Sequence, residues 1–364
     1  MIKYLSLFSG IGAFESALKK AGIDYELLGF SEIDKFAIKS YCEIHCVENN
    51  LNLGDISKID ISILPTDIDL ITHGSPCQDF SVAGKGKGGD KGSGTRSSLM
   101  WNTVEIVKQC RPKVIIWENV KNLLSKKHKH NFDSYLEVMS NIGYNNYYKV
   151  LNAKDFGIPQ NRERVFTISI RKDIDKGFEF PKPIELKLRL KDLLETKVDE
   201  KFYLKDEIVN RFVFKDSTMA VGNTQPKILE YPCIATNIGN TNAITSVQKD
   251  NYVLVKEATK TGYKKAYKGD SINLEQPNSK TRRGRVGKQI ANTLTTSCNI
   301  GVVDGFRIRK LTPLECWRLM GFSDGYFGKA AKVCSNSQLY KQAGNSIVVD
   351  VLVNIFNNLE YLFK

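Results

Sequence analysis

From Lys3 to about Ile170, short apolar runs alternate with amphipathic stretches, and this rhythm narrows the possible folds more than any other feature. The apolar runs Tyr4–Phe8, Leu27–Ser31, Asp69–His73, Lys113–Trp117, Tyr147–Leu151 and Val165–Ile170 read as strands. Between them Ala13–Ala21, Lys35–His45, Leu99–Cys110 and Phe132–Ile142 read as helices. Such alternation predicts an α/β fold, a Rossmann-like, mostly parallel sheet with helices on both faces. After Arg171 the rhythm breaks at a linker, Phe180-Pro181-Lys182-Pro183. Short, polar, turn-rich segments then run to about Gly305, and helical periodicity returns at Pro313–Met320 and from Asn345 onward. The expected organisation is one domain from 1–185 and 335–364, with a smaller turn-rich domain from 186–334.

Ligands of an open parallel sheet sit beyond the carboxyl ends of its strands. Just past the first strand, Phe8-Ser9-Gly10-Ile11-Gly12 opens the first helix, and its glycines allow a sharp turn and close approach to a ligand. Glu32, at the end of the second strand, is spaced to accept hydrogen bonds from ribose hydroxyls. The third glycine of a dinucleotide site is absent, since Ala13-Phe14-Glu15 follows. A pyrophosphate therefore has a poor cradle here. Gly54-Asp55-Ile56 adds a carboxylate suited to an adenine amino group. Together these residues suit an adenosine-bearing ligand without phosphates, such as S-adenosylmethionine. Taken singly, either acid is more often a helix cap or a surface residue.

Past the third strand stands Gly74-Ser75-Pro76-Cys77-Gln78, followed by Gly84–Gly94, a stretch with six glycines and three lysines. A single cysteine is usually a small core hydrophobe, but Pro76 and the glycines favour a turn. Glu118-Asn119-Val120 ends the fourth strand, and Gln160-Asn161-Arg162-Glu163-Arg164 precedes the last. Thiol, acid and paired arginines thus gather at strand ends.

The net charge of +13 points to a polyanionic partner, nucleic acid before membrane, because no run is long and apolar enough to span a bilayer. A cytoplasmic protein with free thiols is expected. Cys42-x-x-x-Cys46 with His45 lacks a second ligand pair, so no metal is expected. Between Lys260 and Lys288, nine Lys/Arg face Asp270 and Glu275, with Tyr263 and Tyr267 interleaved, which suits phosphate contact and stacking as well as a solvated loop.

Taken in order, Phe8-x-Gly-x-Gly, Glu32, Asp55, Pro76-Cys77-Gln78, Glu118-Asn119-Val120, Gln160-x-Arg162-x-Arg164 and Gly344-Asn345-Ser346 resemble the motifs of bacterial C5-cytosine-specific DNA methyltransferases of restriction-modification type. The resemblance spans nearly the whole chain, except about 186–300. It implies transfer of a methyl group from S-adenosyl-L-methionine to a flipped cytosine in duplex DNA. Cys77 would be the nucleophile, Glu118 the group at N3, Arg164 a positive charge beside the thiol and Asn119 a brace for the Pro-Cys segment, with Pro76, Gln78 and Arg162 completing the catalytic set. Phe8, Gly10, Gly12, Glu32, Ile33, Asp55, Ile56, Leu99, Asn345 and Ser346 would hold the cofactor, so the C-terminal helix must fold back on the first strand. The smaller domain would recognise the target. Ser81, Lys85 and Lys87 in the glycine-rich stretch, Arg282, Arg283 and Arg285, and Thr293 beside Leu294 would meet double-stranded DNA. A cognate restriction endonuclease is an expected separate partner. Two other readings compete. A tRNA cytosine methyltransferase is disfavoured by Ser75-Pro76-Cys77 in place of Pro-Pro-Cys and by the missing Cys-Phe-Thr. A non-catalytic DNA-binding regulator is disfavoured by the intact nucleophile and acid.

Overall fold

The computed structural model describes residues 1–76, 95–213, 252–297, 299–305 and 307–363. Its central sheet contains β1 (Ile2–Leu7), β2 (Tyr25–Ser31), β3 (Leu70–His73), β4 (Val114–Val120), β5 (Tyr144–Asn152) and β7 (Glu163–Arg171), with β6 (Gln160–Asn161) beside it, in the order β2-β1-β3-β4-β7-β5. The first four strands in that order are mutually parallel, with Tyr4 opposite Leu70 and His73 opposite Trp117. The sheet is mostly parallel, as expected; β7 runs antiparallel to both neighbours. The connection 153–162 carries only a short turn and β6, too little for the helical crossover that a parallel partner needs.

Helices cover both faces. α1 (Ala13–Lys20), α2 (Lys35–His45) and the C-terminal α9 (Val349–Leu359) pack on one; α3 (Met100–Cys110) and α4 (Lys129–Asn141) pack on the other. Successive β4 residues serve opposite cores, as the two-residue strand period requires: Ile116 joins the cluster with Leu18 and Leu352, while Ile115 and Trp117 join Val107 and Phe132. α2 begins where Asp34 Oδ1 accepts the Phe36 amide at 2.9 Å, an N-cap contributing about 1 kcal/mol.

The second body contains α5 (Asp206–Phe212) and the strands β8 (Tyr252–Lys256), β9 (Tyr263–Tyr267), β10 (Ser271–Asn273), β11 (Val286–Gly287), β12 (Ala291–Asn292), β13 (Ile300–Asp304) and β14 (Arg307–Lys310). Four of these form the sheet β11-β10-β13-β14, and β8 and β9 pair with each other. A third apolar cluster, with Val209, Val255, Ile272 and Ile308, lies between them.

Helices α6 (Pro313–Arg318) and α7 (Asp324–Ala331) follow β14. Trp317, Met320 and Ala330 join the α1–α9 cluster, and the Trp317 indole donates to Leu339 O at 3.0 Å. α7 and α8 (Asn336–Asn345) also carry no sequence forecast, because Gly325 and Gly328 lower helix propensity in one and the other is largely polar. The buried Arg309 on β14 meets Glu315 of α6 at 2.8 Å, tying the second sheet to these helices.

Beneath the first glycine loop lies a buried carboxyl. Glu15 Oε1 accepts hydrogen bonds from Tyr41 at 2.8 Å and Tyr4 at 3.2 Å, and Tyr4 Oη also hydrogen-bonds Thr72 Oγ1 at 2.6 Å. Burial pushes this carboxyl above its usual 4.5, despite the hydroxyls that favour the charged form. A raised folded value means that protons stabilise the fold, and that this stability is lost as pH rises through it. Glu15→Gln keeps an acceptor oxygen without the charge. Its melting temperature is expected to exceed the wild type's by a margin that widens from about pH 5 to about pH 8.5; a pH-independent margin in thermal scans would contradict this assignment. Among the described residues no helix is long and apolar enough to cross a membrane.

Candidate active site

The carboxyl ends of β1 to β4 form one edge of the sheet, and most of the motif residues gather there. At the end of β1 the backbone turns sharply: Phe8 has φ 53°, Gly10 56° and Gly12 80°. A Cβ on Gly12 would stand 1.9 Å from the His45 ring, so only glycine fits; at Gly10 the same position is open space. Glu32 lies across from this loop, with Oε2 accepting the Gly10 amide at 2.9 Å and Oε1 accepting those of Ile33 and Asp34 at 2.8 Å. A carboxylate has about four lone-pair sites, so one remains for a ligand hydroxyl. Ile33 stands beside it 73% exposed, an apolar surface suited to a planar ring. Asp55 does what an N-cap does: Oδ1 accepts the Ser57 amide at 3.0 Å and its hydroxyl at 2.8 Å, and these bonds hold its carboxyl below the usual range. Ile56 is buried and Leu99 half-buried in the α3 cluster. The polar groups and exposed apolar face fit an adenosine-bearing methyl donor.

The C-terminal segment returns to this edge, as expected. α9 packs on α1, while Lys341 on α8 pairs with Asp34 at 2.5 Å and Gln342 donates to Phe36 O at 3.1 Å. Asn345 ends α8 exposed, and Ser346 follows.

At the ends of β3 and β4, the segment before Cys77 is held from three sides. Trp117 Nε1 donates to Ser75 Oγ at 2.9 Å, Asn119 Nδ2 donates to Ser75 O at 3.2 Å, and Ser97 Oγ donates to Pro76 O at 3.0 Å. Cys77 and Gln78, together with Ser81, Lys85 and Lys87, lie outside the described residues. Glu118 points to the opposite face of β4 from Trp117 and Asn119. Arg164 stands across from Val120, two residues along on the same face, within reach of Glu118 for a long side chain. Its Nε meets Glu118 Oε1 at 3.0 Å. Burial pushes the Glu118 carboxyl up and outweighs the guanidiniums of Arg164 and Arg162, which pull it down. An acid in that state can hold a proton at a higher pH than a surface glutamate.

Arg162, expected in the catalytic set, and Gln160 both bind main-chain groups of distant segments. Arg162, 3% exposed, donates to Leu294 O at 3.1 Å, Gly344 O at 3.0 Å and Ser346 O at 2.7 Å. Gln160 donates to Leu319 O at 2.8 Å and accepts the Leu294 amide at 3.1 Å. These two side chains clamp β12 beside β6 and seat the Asn345–Ser346 corner. A Cβ on Gly344 would lie 2.5 Å from the Thr295–Thr296 backbone, so the glycine is required for that approach. The alternation of Gln160 and Arg162, at two-residue spacing ahead of a strand, was the only sequence signal for this clamp.

Four expected DNA contacts have different surroundings. Arg285 is 1% exposed and donates to the carbonyls of Lys256, Asn273, Glu275 and Gln276 at 2.8–3.1 Å, so it cannot reach DNA; it braces the β8–β11 region from within. Its burial is possible because four carbonyls replace water around the guanidinium. Arg282 pairs with Glu275 at 3.1 Å, whereas Arg283 is exposed and donates to Ala258 O. Thr293 donates to Asn161 O at 2.7 Å.

Residues 2–361 match the family of C-5 cytosine-specific DNA methylases. The chain is 38% identical to the orphan methyltransferase M.SPRI of Bacillus phage SPR, covering 100% of this chain and 98% of that protein. It is 33% identical to the type II methyltransferase M.HhaI of Haemophilus parahaemolyticus, covering 98% and 94%. In fold it is similar to a crystal structure of a putative DNA modification methyltransferase encoded within an Escherichia coli prophage, with TM-score 0.61 at 21% identity over 100% of this chain and 99% of the other. The Schizosaccharomyces pombe Dnmt2 methyltransferase gives TM-score 0.61 at 20% identity, covering 100% and 99%.

Proposed function

This chain belongs to the C-5 cytosine-specific DNA methylase family and is a DNA C5-cytosine methyltransferase, and from that premise we propose a mechanism in which Cys77 attacks C6 of a cytosine flipped out of duplex DNA. The observation that carries it is the juxtaposition of the Arg164-paired Glu118 with the Ser75–Pro76 segment that Asn119 grips.

C5 of cytosine is too weak a nucleophile to take a methyl group unaided, so the barrier is divided by covalent catalysis. The Cys77 thiolate adds to C6, and Glu118 gives its proton to N3 as the ring accepts the electron pair. C5 then becomes an enamine carbon. S-adenosylmethionine, when bound, supplies a methyl group activated by its sulfonium. Loss of the C5 proton to a base expels the Cys77 sulfur as thiolate, and N3 returns its proton to the Glu118 carboxylate, which restores the neutral aromatic ring. An ordinary thiol has a pKa near 8.5, so forming the thiolate at neutral pH costs about 2 kcal/mol, which the Arg164 guanidinium lowers. Flipping the base costs a few kcal/mol more. Phe8, Gly10, Glu32, Ile33, Asn345 and Ser346 line the cofactor side, with Asp55 at its rim.

Residues 186–310 form the target-recognition region in this proposal, with Arg283 on its surface, and Ser81, Lys85 and Lys87 of the glycine-rich stretch are further DNA contacts. Acting in a bacterial cytoplasm, the enzyme shields host or phage DNA from a cognate endonuclease made separately. Bisulfite sequencing of DNA from cells expressing the chain tests this directly. The expected result is methylation confined to cytosines in one short sequence; DNA with no protected cytosine would refute it.

A further inference from the structure

We infer that Trp117 is a positioning residue for the nucleophile, setting the Cys77 segment through one hydrogen bond to Ser75 Oγ. The inference rests on Cys77 as nucleophile.

Three observations converge on it. The donor is fixed: Trp117 is 1% exposed, and its ring lies 5.4 Å from that of His73 at an interplanar angle of 6°, 4.4 Å from Tyr135 and 5.9 Å from Phe132. An indole walled in on several sides cannot swing its N–H away from the 2.9 Å bond to Ser75. The acceptor is fixed too, since Ser75 is 3% exposed and its carbonyl is held by Asn119 at 3.2 Å. The strand register explains the pairing. His73 lies opposite Trp117 on adjacent parallel strands, so the chain leaving β3 passes over the end of β4, where Trp117 and Asn119 share a face.

Trp117 and Asn119 therefore grip Ser75 by its side chain and its backbone, two residues ahead of the thiol. A glycine precedes Ser75 and a glycine-rich stretch follows soon after Gln78, so Pro76 alone stiffens the segment locally. Catalytic groups work when buried neighbours hold them within a fraction of an ångström of the productive geometry. Asn119 lies within the Glu118-Asn119-Val120 motif, and Trp117 directly precedes it.

The test is a double-mutant cycle. Trp117→Phe keeps an aromatic face and deletes the donor; Ser75→Ala deletes the acceptor and leaves the stack alone. Rates are measured with a radiolabelled methyl donor on long DNA of mixed sequence, alongside covalent trapping on DNA containing 5-fluorocytosine and a thermal melt of each protein. Each single variant is expected to lose about tenfold in kcat and trapping rate, with KM for donor and DNA within about twofold. The double variant is expected to be no slower than the slower single. Full kcat in Ser75→Ala, or losses that multiply in the double variant, would overturn the inference while leaving the enzyme reading intact. If Trp117→Phe fails to fold, Ser75→Ala still decides, because it breaks the same bond from the other end. A wild-type chain that neither methylates nor traps overturns both.

Discussion

Replacing Cys77 by serine is expected to remove methyl transfer altogether while duplex binding and melting temperature stay near wild type. A serine hydroxyl ionises far less readily than a thiol, so it supplies almost no alkoxide to attack C6. The route through a C6 adduct then closes, a loss of well over about a thousandfold. Binding to DNA relies on charges spread over the surface and on the recognition region, which the substitution leaves untouched. Filter binding beside a methyl-incorporation assay separates the two effects. Turnover surviving in Cys77→Ser would eliminate the covalent mechanism, and DNA binding lost with it would show that the residue supports the fold instead.

The second large effect is expected at Glu118. Glu118→Gln keeps the shape and an acceptor for Arg164 but has no proton to deliver. Loss of a general acid typically costs about a hundred- to ten-thousandfold in rate. The pH profile adds an independent sign. Burial raises the Glu118 value, so the wild-type acid stays protonated to higher pH than a surface glutamate and loses that proton as pH climbs through its raised value. Thiolate formation works in the other direction, being favoured as pH rises. The wild-type kcat profile is therefore expected to fall on the alkaline side, and that fall should be missing in Glu118→Gln. A near-normal rate in the variant, or an unchanged alkaline limb, would remove Glu118 from the proton transfer at N3.

These two substitutions act on opposite sides of one base, and their independence from the cofactor side is also measurable. The Glu32 carboxylate is held by three backbone amides far from the Arg164 pair, so neither Cys77→Ser nor Glu118→Gln should shift cofactor affinity by calorimetry. A shared loss of cofactor binding would mean that the edge of the sheet had collapsed.

Much of this protein was determined by local sequence. The parallel strands follow from runs such as Val114-Ile115-Ile116-Trp117, because a strand covered on both faces must be apolar at every position. The loop Phe8–Gly12 declared itself through its glycines, since a left-handed turn excludes most other residues. The family motifs were legible because their chemistry tolerates few substitutes, and the matched family spans residues 2–361. Only the tertiary structure decided what the long polar side chains touch. Three arginines in Arg282-Arg283-x-Arg285 look equivalent on paper, yet one pairs with Glu275, one faces solvent and one is buried against four carbonyls. Arg162 binds carbonyls 132 to 184 residues away, and Trp117 reaches Ser75, 42 residues away, beyond the end of the adjacent strand. Such contacts join residues distant in the chain, so they leave no period and no spacing to read. Burial is a property of the packed whole, and it decides whether a charged side chain meets water, a ligand or the protein's own backbone.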